Sequence, residues 1–280
     1  MNDYIRVLDA AERHLQQLKS GGVRFLTVET ETLRQLREAP PAVSQKISPV
    51  LTQVVAEKVV EPPAEAPAAP SIPPSLDTAM ASLRERALAC VKCPNLASTR
   101  KNVVFGVGDI RAQLMFVGEA PGADEDQQGE PFVGAAGQLL TRIIKAMGLT
   151  RETVYIANIL KCRPDTASQA AGNRKPTPEE MKTCLPYLHE QIDLIRPKVL
   201  VALGATAVEG LLGKTGGITK LRGQFQVYRN IPLMPTFHPA YLLRNQALTE
   251  KRKVWEDMLQ VMEKLDLPIS AKQRGYFLQP

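Results

Sequence analysis

The residues with the greatest chemical potential lie in one acidic, glycine-rich loop. Glu119 and Glu125 are able to position water or act as bases, and Phe132 offers a flat face on which a ring can stack. The loop also holds four glycines and three further carboxylates: Gly118, Gly122, Gly129, Gly134, Asp124, Asp126 and Glu130. A plain connection needs only about two to six residues, so we expect this longer loop to bind a ligand or carry catalytic groups. The two aspartates are expected to form a solvated surface or a helix cap instead.

Two further polar residues each follow an apolar run. Asn158 presents both a donor and an acceptor, so its amide can read the edge of a base or another amide. His238, one of three histidines, could donate a hydrogen bond to an oxygen on which charge develops. Each also has a plain structural interpretation, because an asparagine commonly ends a strand and a histidine or Phe132 is often part of a core. Their importance therefore depends on whether the fold brings them together.

Four cysteines raise the question of a metal site. No apolar run approaches the roughly 20 residues of a membrane span, and the N-terminus lacks the apolar stretch of a signal peptide. We therefore expect a cytosolic protein, in which disulfides are disfavoured. Cys90 and Cys93 form a chelating CxxC pair, whereas Cys162 and Cys184 lie far away in sequence. Four thiolates can hold zinc or an iron–sulfur cluster, with ordinary buried thiols as the alternative; the CxxC spacing favours a metal site without selecting the metal.

Alternating strands and helices must position these residues. Apolar runs predict buried strands at 114–117, 153–157, 198–203 and 231–236, and helices at 76–89, from about 135, at 177–195 and at 248–265. We also expect a hairpin at 218–228 around Gly223. This order indicates an α/β fold, namely a three-layer α/β/α sandwich with a central, mostly parallel four-stranded sheet. Since right-handed crossovers place the strand ends on one edge, the acidic loop, Asn158 and His238 should converge there.

Composition divides the chain into four parts. Residues 1–38 are expected to form a helical arm. Residues 39–75 are rich in proline and alanine, which bury little apolar surface and favour an extended, disordered linker. We expect the catalytic domain at 76–268 and a C-terminal tail at 269–280. The formal charge of +6 fits an anionic partner such as nucleic acid, or simply a basic solvated surface.

Several motifs, in order, resemble those of the family 4 uracil-DNA glycosylases. The similarity covers about residues 80–265 and rests on several separate segments. These are Gly118-Glu119-Ala120-Pro121-Gly122; Gly129-x-Pro131-Phe132-Val133-Gly134-x-Ala136-Gly137-x-Leu139-Leu140; Tyr155-Ile156-x-Asn158-x-x-Lys161-Cys162-Arg163-Pro164; Leu203-Gly204; and His238-Pro239-Ala240. The resemblance implies an enzyme that removes uracil from DNA by hydrolysing the N-glycosidic bond. It would leave an abasic site, as in base excision repair of deaminated cytosine.

The resemblance also implies how the cofactor and the base are held. Uracil would be flipped out of DNA into the site, where Phe132 stacks on it and Asn158 hydrogen-bonds its polar edge. Backbone groups near Gly118, Glu119 and Ala120 would also contact the base. A [4Fe–4S] cluster, which the spacing alone did not select, would be bound by Cys90, Cys93, Cys162 and Cys184.

By the same resemblance, catalysis would combine a positioned water with a stabilised leaving group. His238 would stabilise the charge on the uracil oxygen as the bond breaks. The wider superfamily often has an aspartate, which activates water, at the position of Ala120. We therefore expect Glu119 or Glu125 to position the water in this protein. The chain lacks the basic, His-containing insert of a related branch that binds uracil covalently, which favours turnover.

The expected partner is uracil-containing DNA, double- or single-stranded. The loop that includes Pro239, Ala240 and Arg244 would press on the DNA backbone and help to hold it bent. Basic residues near the cluster would approach phosphates, namely Lys161, Arg163, Arg174 and Lys175. A mispaired base is flipped at the lowest cost, so uracil opposite guanine should be extracted more easily than uracil opposite adenine. We expect a monomer without membrane association, whose N-terminal arm is a candidate for docking a repair or replication protein.

Two other functions agree with part of the sequence. A non-catalytic Fe–S module that binds nucleic acid within a polymerase or repair complex would share the cysteines and the charge. Such a module needs none of Glu119, Asn158 and His238, so their joint presence disfavours it. A nucleotide-binding enzyme that uses the acidic loop for Mg²⁺ would need a phosphate motif, and neither Gly106-x-Gly108 nor Gly213-Lys214-Thr215 completes one.

Overall fold

The computed structural model describes residues 75–164 and 174–278. The predicted arm at 1–38 and all but the last residue of the predicted linker lie outside the described residues. The helices are α1 (Leu76–Leu88), α2 (Pro94–Thr99), α3 (Ala123–Gln128), α4 (Ala135–Ala146), α5 (Pro178–Ile195), α6 (Ala205–Leu212), α7 (Ile218–Leu221), α8 (Pro239–Arg244), α9 (Leu248–Lys264) and α10 (Ala271–Arg274). The strands are β1 (Val107–Gly108), β2 (Leu114–Gly118), β3 (Tyr155–Asn158), β4 (Val199–Leu203), β5 (Gln226–Tyr228) and β6 (Ile231–Thr236).

The strands form one six-stranded sheet in the order β1-β3-β2-β4-β6-β5. The four predicted strands are β3, β2, β4 and β6, and they pair in parallel at the centre of the sheet. The predicted count of four was too low, because a short antiparallel strand lies on each edge. These edge strands span only two and three residues, which is too short for an apolar pattern to be visible in the sequence.

The predicted hairpin at 218–228 was wrong in its position. Its first part is helix α7, and Gly223, at φ +77°, follows that helix. The actual hairpin joins β5 to β6 through Arg229 and Asn230, which have φ values of 48° and 64°. Two left-handed residues in succession match the twist of paired strands. The sequence signal was weak because neither residue is the glycine that usually occupies such a turn.

Helices cover both faces of the sheet and make three layers. On one face Met115 and Val117 pack with residues of α1, α5 and α6. On the other face Leu114 and Phe116 pack with residues of α4 and α9. Burial on both faces explains why the central strands are continuous apolar runs rather than alternating ones. The α/β/α layering expected from the order of strands and helices is therefore confirmed in the described residues.

Helix α5 shows how local sequence sets a boundary. The Thr177 hydroxyl accepts a hydrogen bond from the Glu180 backbone N–H at 3.2 Å, and the Glu180 carboxylate accepts one from the Thr177 N–H at 2.8 Å. Pro178 occupies the first helical position, where a missing N–H costs nothing. This reciprocal cap places the helix start where the sequence predicted it.

Two segments are more ordered than the sequence suggested. The acidic loop contains a short helix, α3, which ends at the left-handed Gly129. The predicted tail contains α10 and packs on the domain: the Trp255 indole N–H donates to the Gln273 carbonyl oxygen at 2.6 Å, and the Gln273 amide donates to the Ala146 carbonyl oxygen at 2.8 Å. The segment up to residue 278 is thus joined to α4 and α9. Among the described helices, none combines the length and the apolar character that a membrane crossing requires.

Candidate active site

Four strand ends meet at one edge of the sheet. Across that edge lie, in order, Asn158 at the end of β3, Gly118 at the end of β2, Gly204 after β4 and His238 two residues after β6. Gly118 and Asn158 are directly paired in the parallel register. The chain continues from β2 to α4 on one face of the sheet and from β4 to α6 on the other face. This change of face between neighbouring strands is a topological switch point, which is where α/β proteins bind ligands. The predicted convergence of the three polar segments is therefore observed.

Gly118 lets two side chains approach the same point. A Cβ atom added there would lie 2.4 Å from Oδ1 of Asn158 and 2.5 Å from Cζ of Phe132. Both distances are far shorter than van der Waals contact. Any larger residue at this position would displace the amide or the ring, so glycine is required for the two groups to share one site.

The Asn158 side chain is buried with an unused acceptor. The residue is 2% exposed, and Oδ1 is the single buried side-chain polar atom in the described part of the chain that has no hydrogen-bond partner. Leaving a buried acceptor unsatisfied costs about 1–3 kcal/mol. Such a cost is expected where a ligand supplies the missing donor. The environment of Asn158 is therefore that of a residue which hydrogen-bonds a ligand, rather than that of a residue which only ends a strand.

Phe132 is held in a conformation that a phenylalanine rarely adopts. Its φ is 56°, in the left-handed region, which costs free energy and persists only where the surroundings enforce it. The Arg151 guanidinium donates to the carbonyl oxygens of Phe132 at 3.0 Å and of Pro131 at 2.8 Å. A Cβ on Gly137 would lie 1.9 Å from the Phe132 oxygen, so α4 also presses on this turn. The ring orientation is thus set by a residue, Arg151, that the sequence analysis missed.

The two candidate carboxylates have different surroundings. Glu125 accepts three backbone N–H bonds, each at 3.0 Å, from Gly122, Val133 and Gly134. Its carboxylate therefore joins Gly122 to the segment at Val133 and Gly134 and holds the loop closed. Glu119 directly follows β2 and is half-buried, and its side chain makes no hydrogen bond or ion pair within residues 75–164 and 174–278. Of these two carboxylates, that of Glu119 is therefore the one available to a water molecule.

The two aspartates of the loop are not equivalent. Asp126 is 3% exposed, and its carboxylate accepts N–H bonds from Lys101 at 3.0 Å and Asn102 at 3.2 Å. It anchors the segment before β1, which corrects the expectation of a solvated surface. Asp124 lies in the first turn of α3, in agreement with a role at the helix terminus.

His238 is held so that one ring nitrogen faces the site. It caps helix α8, with Nδ1 accepting the Ala240 backbone N–H at 3.1 Å. The proton of the neutral ring is therefore on Nε2, which is free to donate. Burial and the positive Arg244 lower the pKa of His238 to about 4, against the opposing effect of Glu125. The ring is 5.6 Å from that of Phe132 at an interplanar angle of 31°, so the imidazole borders the same space as Phe132.

The strand that delivers His238 is supported by a buried ionic network. The Thr236 hydroxyl donates to Asp257 at 2.6 Å, and the Arg222 guanidinium donates to both oxygens of the same carboxylate. The Arg222 guanidinium lies 5.6 Å from the ring centroid of Phe237. These long-range contacts, which no local pattern reveals, fix the end of β6 next to the site.

The three residues predicted to contact DNA, which are Pro239, Ala240 and Arg244, all lie in α8. Pro239 is buried under the helix start, Ala240 is half-buried, and Arg244 is exposed in the last turn. Of the three, only Arg244 presents a charge to solvent. Because its charge also lowers the pKa of His238, Arg244 is close enough to the imidazole for the two charges to interact.

The four cysteines converge although they come from three separate segments. Cys90, Cys93, Cys162 and Cys184 all line one small cavity, together with Leu96, Arg100, Leu160 and Thr183. No group of three or more His, Cys, Asp or Glu residues in the described ranges is arranged to hold a single metal ion. A cluster spreads its ligands more widely than a single ion, because each cysteine binds a different iron. Four thiols around a cavity therefore fit an iron–sulfur cluster better than zinc.

The surroundings of the sulfurs also suit a cluster. The Arg100 guanidinium donates to Cys162 Sγ at 3.0 Å, and the Lys161 backbone N–H donates to Cys184 Sγ at 3.2 Å. Hydrogen bonds to the sulfurs are a usual means of tuning such sites. Burial raises the pKa of the Cys184 thiol to about 12, against the lowering effect of Lys161. The positive core of an iron–sulfur cluster would favour the thiolate form of this sulfur.

The basic residues near the cysteines differ in exposure. Lys161 is buried and cannot reach a phosphate, which corrects the expectation that it would. Arg174 pairs with Glu180 at 2.5 Å, and Lys175 pairs with Glu209 at 2.6 Å. Lys175 retains the larger exposure and is the better placed of these residues to meet DNA.

Comparison with known proteins gives a consistent result. The family model of the uracil DNA glycosylase superfamily matches residues 105–259. The type-4 uracil-DNA glycosylase of Thermotoga maritima is 46% identical over 181 residues, which cover 64% of this chain and 91% of that protein. Type-4 uracil-DNA glycosylases of Sulfurisphaera tokodaii and Archaeoglobus fulgidus are 41% and 44% identical. The former match covers 71% of this chain and 90% of the relative, and the latter covers 59% and 83%.

Proposed function

Because the chain belongs to the uracil-DNA glycosylase superfamily, we propose that it removes uracil from DNA and leaves an abasic site for base excision repair. The observation that carries the proposal is the unpartnered, buried Oδ1 of Asn158 beside Phe132. A flat base that stacks on the ring brings a donor to that acceptor. The family and the orphaned acceptor thus support the same activity.

The amide and the ring select the base. Uracil presents an N–H next to a carbonyl oxygen, so it can donate to Oδ1 and accept from Nδ2 of Asn158. Cytosine presents an acceptor and an amino group in the same places, which leaves both ends of a fixed amide mispaired. A site built on hydrogen bonds rejects such an analogue strongly, because its buried polar groups are left unpaired.

His238 and Glu119 carry the bond cleavage. As the N-glycosidic bond breaks, its electron pair passes to the departing base, and negative charge builds up on a uracil carbonyl oxygen. Nε2–H of neutral His238 donates to that oxygen. Glu119 orients the water that adds to the sugar carbon and accepts its proton, whereas Glu125 keeps Phe132 and the loop in place.

Cys90, Cys93, Cys162 and Cys184 hold a [4Fe–4S] cluster. When bound, the cluster supplies a rigid cross-link between the segment before α2, the segment after β3 and helix α5. Since Asn158 lies only four residues before Cys162, this cross-link steadies the strand end that reads the base. The cysteines have no part in bond cleavage.

The DNA contacts follow from the position of α8. The flipped base enters at the strand ends, while Ala240 and the exposed Arg244 press on the backbone of double- or single-stranded DNA. Pro239 is buried and sets the start of α8, so the expectation that it touches DNA is corrected. Unpairing costs a few kcal/mol and is cheapest for a mispaired base, so uracil opposite guanine is the better duplex substrate. The protein acts as a monomer in this scheme.

The activity resides in residues 76–268, and the N-terminal arm serves to dock a repair or replication protein. A variant without residues 1–75 should therefore release uracil from short oligonucleotides at the full-length rate. Loss of activity in this truncated variant, with its cluster absorbance intact, would place part of the site in the arm.

The decisive experiment measures abasic sites. A labelled duplex with a single uracil, and a thymine control, is treated with wild type, Asn158→Ala and the exposed-residue control Asn95→Ala, and alkali then reveals strand cleavage. Uracil-dependent cleavage by wild type and the control, lost in Asn158→Ala, supports the proposal. Tight DNA binding by wild type without any abasic product would overturn it in favour of a non-catalytic accessory module.

A further inference from the structure

Lys161 is a buried lysine that none of the roles described above explains. It is 2% exposed, and lysine is almost never fully buried unless it is paired. It forms no ion pair with an Asp or Glu of residues 75–164 and 174–278. Its ammonium donates instead to two neutral oxygens, Oε1 of Gln191 at 2.6 Å and the backbone carbonyl of Asn158 at 3.1 Å.

The partners of Lys161 are themselves fixed. Gln191 is fully buried, and its amide N–H groups donate to the Phe105 carbonyl oxygen at 2.9 Å and to the Tyr155 hydroxyl at 3.0 Å. Its Oε1 is therefore turned toward the ammonium with no freedom to flip. The Phe105 ring centroid lies 5.9 Å from Nζ. The enclosure is thus built to hold a cation in one place.

The missing counter-charge lies next to the enclosure. The Lys161 backbone N–H donates to Cys184 Sγ at 3.2 Å, the next residue is Cys162, and the Arg100 guanidinium donates to Cys162 Sγ at 3.0 Å. A [4Fe–4S] core held by four thiolates carries a net negative charge. A buried negative charge of this kind requires nearby cations, and Lys161 and Arg100 are placed to supply them.

We propose that Lys161 is a positioning residue that couples the cluster to base recognition: its ammonium compensates the charge of the loaded cysteine site and holds the Asn158 backbone carbonyl. The inference rests on the proposed function, because it assigns the lysine to the site that reads uracil. It makes the cluster part of the support of Asn158, beyond its role as a cross-link.

Two consequences distinguish this role from plain structural support. Removing the positive charge should make electron uptake by the cluster less favourable, so its reduction potential should become more negative. Removing the bond to the Asn158 carbonyl should slow uracil release about tenfold to a hundredfold, which is the range for a hydrogen bond to a charged group. If Lys161 acts through Asn158, its loss should cost little more once the Asn158 side chain is gone.

The test compares Lys161→Met, Lys161→Gln and the exposed-residue control Lys182→Met in the cluster-loaded protein. We expect a more negative potential in both Lys161 variants, slower single-turnover uracil release in Lys161→Met, and wild-type values in Lys182→Met. In an Asn158→Ala background, Lys161→Met should lower the remaining rate less than threefold, and Asn158→Ala alone should leave the potential unchanged.

The outcomes separate the two proposals. A wild-type potential in Lys161→Met, or in Lys161→Gln if the methionine variant does not fold, overturns the role of the lysine even if uracil release is normal in wild type. Equal rate losses in the wild-type and Asn158→Ala backgrounds overturn the coupling to Asn158. An absence of uracil release by wild type would refute the proposed function, while the potentials would still report whether Lys161 compensates the cluster.

Discussion

Gly118 and Asn158 are cross-strand neighbours at the carboxyl ends of β2 and β3, and a Cβ on Gly118 would lie 2.4 Å from Asn158 Oδ1. The space above this glycine is therefore reserved for the amide and for the edge of the Phe132 ring. The pairing shows why a small residue at the end of one strand matters to a polar residue at the end of the next. It also yields a direct test of the site.

Gly118→Ala should abolish most activity without unfolding the protein. The added methyl must displace Asn158 or Phe132, so we expect uracil release to fall by about 10²-fold or more, comparable to the loss of a catalytic hydrogen bond. The matched control is Gly217→Ala, because an added Cβ there meets no atom within 4 Å. Single-turnover rates and melting temperatures are measured for both variants. A normal rate of uracil release in Gly118→Ala would show that the site tolerates the displacement of Asn158 or Phe132.

His238 should act as a neutral donor throughout the physiological range. With its pKa lowered to about 4, the rate of uracil release should show no titration of this residue between pH 5 and 8. His238→Gln should lower the rate by about 10²–10³-fold at every pH in that window. An NMR titration of the ring nitrogens measures the pKa directly, and a value near 6.5 in the free protein would contradict the assignment.

The same pKa shift has a consequence for stability. The folded-state pKa of His238 is below the ordinary 6.5, so the unfolded chain binds the proton more tightly. His238 therefore contributes stability above pH 6.5 that is lost as the pH falls through about 4. Urea unfolding of wild type and His238→Gln at several pH values should show a shallower dependence in the variant over this interval. If the free energies of unfolding of wild type and His238→Gln changed in parallel with pH, folding would not lower the pKa of His238.

Substitution of Glu119 should affect the rate of uracil release, whereas substitution of Glu125 should affect the stability of the protein. Glu119→Gln should lower the single-turnover rate while leaving the melting temperature unchanged, because its side chain supports no other group. Glu125→Gln should lower stability by about 1–3 kcal/mol, because one backbone N–H then faces an amide NH₂ instead of an acceptor. Thermal unfolding and single-turnover kinetics on both variants make the comparison. If Glu125→Gln were as stable as wild type but released uracil much more slowly, the role of positioning the water would belong to Glu125 instead of Glu119.

Arg151 should control the orientation of Phe132. Arg151→Met removes two hydrogen bonds to the carbonyls of residues 131 and 132, so the left-handed turn loses its support and the stacking face moves. We expect uracil release to fall about tenfold or more, since hydrogen bonds to a charged group are worth about 1.5–3 kcal/mol. Arg142→Met, which changes an exposed arginine on α4, is the control. Equal rates in the two variants would remove Arg151 from the site.

Arg244 should contribute to DNA affinity by charge. Arg244→Ala should weaken binding to all sequences alike and reduce the slope of log affinity against log salt by about one. Lys198→Ala is the control, because Lys198 is exposed at the amino end of β4 and so lies at the opposite edge of the sheet. Fluorescence anisotropy at several salt concentrations measures both. An unchanged slope in Arg244→Ala would exclude a phosphate contact.

Much of the framework could be predicted from local patterns. The central strands are apolar runs because both faces of the sheet are covered, and α5 begins at Pro178 because its cap, formed by Thr177 and Glu180, lies within four residues of sequence. The motifs around Gly118, Asn158 and His238 could be placed at one edge because parallel strands with right-handed crossovers have their ends together. Each of these features depends on short-range sequence or on a general rule of topology.

The sequence by itself therefore determined the α/β architecture, the family resemblance and the set of polar residues at the site. Only the tertiary structure decided that the Glu125 carboxylate accepts backbone N–H bonds and that the Asn158 side chain keeps an unpaired acceptor. It also decided that Arg151 supports Phe132 and that Lys161 holds the Asn158 carbonyl. These roles depend on distances between atoms that are far apart in the chain, and no periodicity encodes them. The short edge strands were missed for the same reason, since they exist through pairing with a neighbour rather than through any preference of their own.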